Sequence, residues 1–143
     1  MFSVKLATDQ ITLNQIIDLR YTILRKPWGK ALETAADDLE DSSINAYVEF
    51  ENKIVACGRL QNNGKGIAQI RYMAVDANYQ GKGLGKAILI KLEEEAKKIG
   101  IHTIELHARE NAVLFYQSQQ YVMIEKSYNL WDIIQHYLMM KKL

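Results

Sequence analysis

The residues with the clearest chemical potential are Gln80-Gly81-Lys82-Gly83-Leu84-Gly85, followed by Lys86, between a β-like apolar run and an amphipathic helical stretch. Glycines at 81, 83 and 85 permit positive φ and close backbone approach, so several N–H groups can converge on one ligand. A helix starting at about Gly83 adds unpaired N–H groups and a partial positive charge, and Lys82 and Lys86 add full charges. Together these residues suit a phosphate or pyrophosphate. Spacing excludes two common phosphate loops. G-x-x-x-x-G-K-[ST] meets Lys86 where its second glycine belongs, with Ala87 instead of Ser or Thr after that lysine. G-x-G-x-x-G fits Gly81 and Gly83 but again meets Lys86 at its third glycine. The plain alternative, a turn that needs flexible glycines, leaves two lysines at a helix start unexplained.

The elements that must position this loop follow from periodicity. Residues 2–7 read as a short strand; Thr12 then reads as an N-cap with Gln15 closing a capping box. Leu13, Ile16, Ile17, Arg20, Tyr21 and Leu24 recur at helical spacing, so a helix is expected to about Arg25, stopped by Pro27. Residues 30–43 carry Asp37, Asp38, Glu40 and Asp41 with little apolar periodicity and read as a loop, or a loop with a short helix, whose charges are a solvated run rather than a substrate-docking site. Strands at 46–51, 53–60 and 67–75, divided by turn signals at Asn52 and at Asn62-Asn63-Gly64-Lys65-Gly66, form an antiparallel meander. Leu84, Ala87, Ile88, Leu92, Ala96 and Ile99 then share a helical face, and Gly100 ends it. A strand at 102–108, a short helix at 111–119 and strands at 121–127 and 135–142 complete one α+β domain over 1–143. The strand–helix–strand unit from Ile67 to Ala108 is expected to be a right-handed parallel crossover.

Composition bounds the function. With 18 basic and 17 acidic side chains in 143 residues, the net charge is +1, which gives no support to nucleic-acid binding. An anion must therefore be held by a local device. Cys57 is the only cysteine, so an intramolecular disulfide or a multi-cysteine zinc site is excluded; it reads as a buried structural thiol. No signal peptide or membrane-length apolar run is visible, and a cytoplasmic protein without membrane association is expected.

Gln80, Gly83 and Gly85 fit Q/R-x-x-G-x-G/A, and here the chain resembles the GNAT N-acetyltransferase superfamily, in particular its small single-domain bacterial members. Ile70-Arg71-Tyr72-Met73-Ala74-Val75 is similar to the family's strand end, where a bulge splays the strand from its neighbour. Ala112 and Tyr116 meet the spacing of its second signature, and His136-Tyr137-Leu138-Met139 with Lys141 resembles an H-x-x-M-x-K tail. Two positions depart: Arg109 stands where many relatives have Asn, and Gln120 where many have Gly. The resemblance implies a mixed twisted sheet of six to seven strands with helices on both faces, splayed after the strand end at 73–75.

It further implies acetyl-CoA, or another acyl-CoA, as co-substrate without a metal. The acceptor is then an amine of a small molecule or peptide that attacks the thioester directly, and a homodimer stays open. Met73, Ala74 and Val75 would supply backbone contacts to the pantetheine arm; Gln80, Gly81, Lys82, Gly83, Leu84, Gly85 and Lys86 would hold the pyrophosphate, with Asn111 and Phe115 as further cofactor contacts. Tyr116 matches the family's proton donor to sulfur; its other reading is an aromatic core residue. For the general base, Glu105 and His107 share one face of a strand, and His136 is a third candidate. Arg59 and Arg71 could face an acidic acceptor or be surface charges on strands. The rival reading is a catalytically silent acyl-CoA-binding regulatory module; a subunit serving assembly is a third.

Overall fold

The structure is a computed structural model and describes residues 2–143. Among the described residues, seven strands form one mixed sheet in the order β1-β2-β3-β4-β5-β7-β6. They are β1 (Val4–Leu6), β2 (Ile44–Phe50), β3 (Lys53–Gly64), β4 (Ile67–Val75), β5 (Thr103–Arg109), β6 (Val122–Leu130) and β7 (Ile134–Lys142). The helices are α1 (Gln10–Arg20), α2 (Leu84–Lys98) and α3 (Val113–Ser118). Every neighbouring pair is antiparallel except β4–β5, which α2 joins as the expected crossover. Among the described residues no helix is long and apolar enough to cross a membrane.

Helices cover both faces, as the α+β reading requires. Ile16 and Leu19 of α1 pack on Ile54, Cys57 and Ala74. On the other face Leu84, Ile88, Leu89, Leu92 and Ala96 of α2 pack on Val48, Val55, Ala56 and Leu60. Cys57 is buried, and desolvation pushes its thiol up to about 12, an inert structural residue as expected. Gly58 sets the closeness of α2: a Cβ there would run into Met73 Sδ and lie 2.7 Å from Ile88 Cγ2.

The sheet opens in its middle. β4 and β5 pair only at Ile67↔Thr103, Ala68↔Ile104 and Gln69↔Glu105, and then part. On the other side of β4 the register slips between Cys57↔Ala74 and Arg59↔Arg71, so Gly58 opposes both Tyr72 and Met73. Tyr72 takes φ 56°, a left-handed conformation foreign to a strand interior. This is a β-bulge, which bends the strand and increases its twist. The separation expected at the strand end is already present from residue 70.

The N-terminal half differs from the sequence reading in four places, one of them the end of β3, which runs through Asn62 and Asn63 to Gly64 instead of stopping at residue 60. Asp9, not Thr12, caps α1: its carboxylate accepts from Thr12 N–H at 2.7 Å, and the helix starts at Gln10. The helix does not run evenly to Arg25; residues Tyr21–Arg25 form a π turn, and Pro27 sits in the first turn of a 3-10 segment, Lys26–Trp28, where no N–H is needed. The acidic run is only partly solvated. Asp37 and Glu40 turn inward to two fully buried guanidiniums, Arg20 and Arg59. Arg20 binds Glu40 through two bonds at 2.9 and 3.0 Å, and Arg59 binds Asp37 at 2.7 and 3.0 Å and Glu40 at 2.7 Å. Both sit over the Tyr72 ring, 4.4 and 4.9 Å from its centroid. Arg59 is therefore neither a surface charge nor an acceptor contact.

Removing one member of such a network strands a buried charge. Arg59→Ala is expected to cost about 3–5 kcal/mol in urea denaturation; a loss under about 1 kcal/mol, the scale of a surface pair, would show that the network is not structural.

Candidate functional site

The glycine loop meets α2 as the sequence suggested. Gly83 caps the helix at φ 81° without a side-chain cap, and Gly81 has φ 76°. The first-turn N–H groups are thus left to a ligand. Gln80 Nε2 donates to Val75 O at 3.2 Å and ties the loop to the end of β4. A cleft of about 690 Å³ opens beneath it, lined by Met73, Ala74, Val75, Gln80, Gly81, Gly83, Leu84, Gly85, Lys86, Asn111 and Phe115. Of the residues expected to hold the cofactor, Lys82 alone is not part of the lining. At Gly85 an added Cβ would lie 3.5 Å from Phe115 Cζ and 3.9 Å from Val75 Cγ2, in ordinary contact with two residues that line the cleft. Free N–H groups at one end and an unpaired strand edge along the side suit an extended molecule ending in phosphates, and coenzyme A has that form.

Tyr116 borders this cleft and a second cavity. Its ring is held edge-on by Phe115 and Tyr121, at 5.0 and 5.8 Å between centroids. Among the described residues its hydroxyl has no hydrogen-bond partner. Burial pushes its pKa up, so the phenol keeps its proton at neutral pH. Gln120 does adopt φ 74° behind α3, the left-handed position where relatives favour glycine.

The second cavity, about 130 Å³, lies in the gap between β4 and β5 and includes His107, His136, Tyr128, Arg25, Arg71 and Arg109 in its wall. His136 Nδ1 lies 2.9 Å from Ile134 O; a carbonyl only accepts, so Nδ1 carries the proton and Nε2 a lone pair. Its ring stacks on Tyr128 at 4.4 Å. His107 Nδ1 is buried without a partner. Desolvation lowers both imidazoles below the ordinary histidine value. Glu105 is elsewhere: it accepts from Asn63 Nδ2 at 2.9 Å, beside the last paired rung of β4–β5, and does not line the cavity. The structure thus groups Tyr116 with His107 and leaves Glu105 apart. Arg25 and Tyr128 join the wall without a signal in the sequence, whereas Arg109 was marked by its departure from the family pattern.

A model of the acetyltransferase (GNAT) family matches residues 13–121. The chain is 32% identical over 107 residues to the uncharacterized protein YyaT of Bacillus subtilis, covering 75% of this chain and 71% of YyaT. Its fold is similar to that of an acyl-CoA N-acyltransferase from Pseudomonas aeruginosa, with TM-score 0.85, 15% identity and 99% of both chains covered. A Bacillus subtilis acetyltransferase in complex with CoA is also similar, with TM-score 0.80, 16% identity and 100% and 99% of the two chains covered.

A histidine lowered by folding stabilises the native state above its unfolded value of 6.5, and that contribution is lost as pH falls through the lower folded value. Imidazole NMR titration of His107 and His136 is expected to give midpoints below 6.5. A midpoint at or above that value would mean that the rings are solvated.

Proposed function

The chain belongs to the acetyltransferase (GNAT) family, and on that premise we propose that it transfers an acetyl group from acetyl-CoA to the amine of an acceptor held between β4 and β5. The observation that carries this reading is the position of Tyr116. A protonated phenol without a protein partner borders both the phosphate-type cleft and the histidine-lined cavity.

Acetyl-CoA supplies an activated acyl thioester. Gly81, Gly83, Leu84, Gly85 and Lys86 hold its pyrophosphate through backbone N–H groups, and Lys86 adds charge. The edge of β4 at Met73, Ala74 and Val75 offers main-chain groups to the pantetheine arm and to negative charge developing on the thioester oxygen. His136 Nε2, its tautomer set by Ile134 O, takes the proton from the attacking amine, with His107 beside it. Tyr116 gives its proton to the sulfur as the C–S bond breaks and the C–N bond forms, and solvent returns it. Burial keeps both imidazoles neutral, the state a base requires.

Acetyl-CoA at a hundredfold excess over Kd is expected to stabilise the fold by about 2.7 kcal/mol, a rise of several degrees in Tm. No shift at millimolar ligand would remove the cofactor assignment. Gly83→Val, which puts a β-branched side chain at φ 81°, is expected to abolish the shift. Tyr116→Phe is expected to lower acetyl-CoA-dependent thiol release by roughly 10²-fold with CoA affinity intact; unchanged turnover would make Tyr116 a packing residue. CoA binding without thiol release across an amine panel would favour the regulatory-module reading.

A further inference from the structure

The charges around the acceptor cavity do not balance. Five arginines meet here: Arg20, Arg25, Arg59, Arg71 and Arg109. Two carboxylates answer them, and Arg20 and Arg59 take the best geometry of both. Arg71 retains a single bond to Asp37 at 3.2 Å. Arg25 and Arg109 have no carboxylate at all among the described residues. Arg25 donates to Thr34 O at 3.1 Å and to Leu24 O at 3.3 Å, and Arg109 donates to the same Leu24 O at 2.9 Å. One carbonyl thus holds two like charges together in a place poor in water, where Arg25 is only 9% exposed.

All three incompletely matched guanidiniums line the cavity, and no Asp or Glu among the described residues does. An unbalanced buried cation is costly, and a guanidinium fork fits a carboxylate in two parallel hydrogen bonds. Desolvation, followed by repulsion from a neighbouring arginine, opposes the charge of Arg109, an effect that an anion between them would reverse. A cationic acceptor such as a polyamine would add charge of the wrong sign.

Resting on the acetyltransferase reading, we propose that the acceptor is a small amine that also carries a carboxylate, gripped by Arg25, Arg71 and Arg109 while its amino group faces His136 and Tyr116. The carboxylate is the specificity determinant, and Arg109, which borders the thioester cleft as well, fixes the distance between the two substrates.

The binding arm uses the full chain saturated with CoA, so that anions are not read in the cofactor cleft, and the turnover arm uses the full chain with acetyl-CoA. Calorimetry compares N-acetyl amino acids with their neutral N-methylamides, and thiol release compares amino acids with their amides and with spermidine. The carboxylate probes are expected to bind tighter than the amides by on the order of tenfold or more, with the same order in kcat/KM. Arg109→Gln is expected to erase that difference and Arg109→Lys to restore part of it, with circular dichroism and Tm checking the fold of each. Equal binding of acids and amides, or turnover of spermidine in preference to amino acids, overturns the proposal while leaving acetyl transfer standing. Loss of CoA binding itself would instead strike the underlying function.

Discussion

Everything in this molecule that could do chemistry depends on a parallel strand pair that stops pairing. After Gln69↔Glu105 the facing edges of β4 and β5 have no strand between them, and their main-chain groups require other partners. The first turn of the crossover α2 reaches this region, and a cavity lies on either side of Tyr116. The bulge at Tyr72 bends β4 away. Gly58, opposite that bulge, lets α2 sit close enough to bring its N-terminus to the mouth of the gap.

The bend must be held, since a left-handed Tyr in a strand is a strained state. Tyr72 is packed among guanidiniums, with Arg20, Arg59 and Arg71 all within 5 Å of its ring centroid. Those arginines are anchored from a loop by Asp37 and Glu40, and Arg59 bonding holds the Asp37 carboxyl below its usual range. A device of this kind brings little net stability compared with an apolar core, but it fixes one geometry, because each bond has a direction. The same network leaves the adjoining cavity positive.

What could be read from the sequence is what local chemistry decides. Positive φ at Gly81 and Gly83, an open helix start and the apolar stripe of α2 are properties of neighbouring residues, and they stand as expected. Gln120 is marked only by the family resemblance, which puts glycine at that place, and it does adopt a left-handed conformation. The direction of Asp37 and Glu40 could not, because their partners lie 15 or more residues away and only the fold brings them together. Thr12 reads as the cap, but Asp9 takes that place: its carboxylate is the stronger acceptor and stands three residues ahead of the N–H it binds. Strand alternation placed Glu105 and His107 on one face of β5, yet where pairing ends along that strand is a tertiary fact, and it puts Glu105 beside the closed rung and His107 in the gap. Arg25 could not be placed at all while its helix was taken as regular.

The π turn at Tyr21–Arg25 has an evolutionary meaning. Such a segment closes i→i+5 hydrogen bonds, so one turn holds one residue more than the α-helix that precedes it. Deleting a residue there would restore the regular helix and rotate the chain beyond it by about 100°, carrying Arg25 and the Leu24 carbonyl off the cavity wall. The glycine loop, α2 and Tyr116 lie in other elements, whereas Ile23 and Leu24 also line the phosphate-type cleft, so its rim would shift with them. A single insertion or deletion in one helix would therefore reshape the wall that the two cavities share at Leu24 while leaving the glycine loop itself as it is.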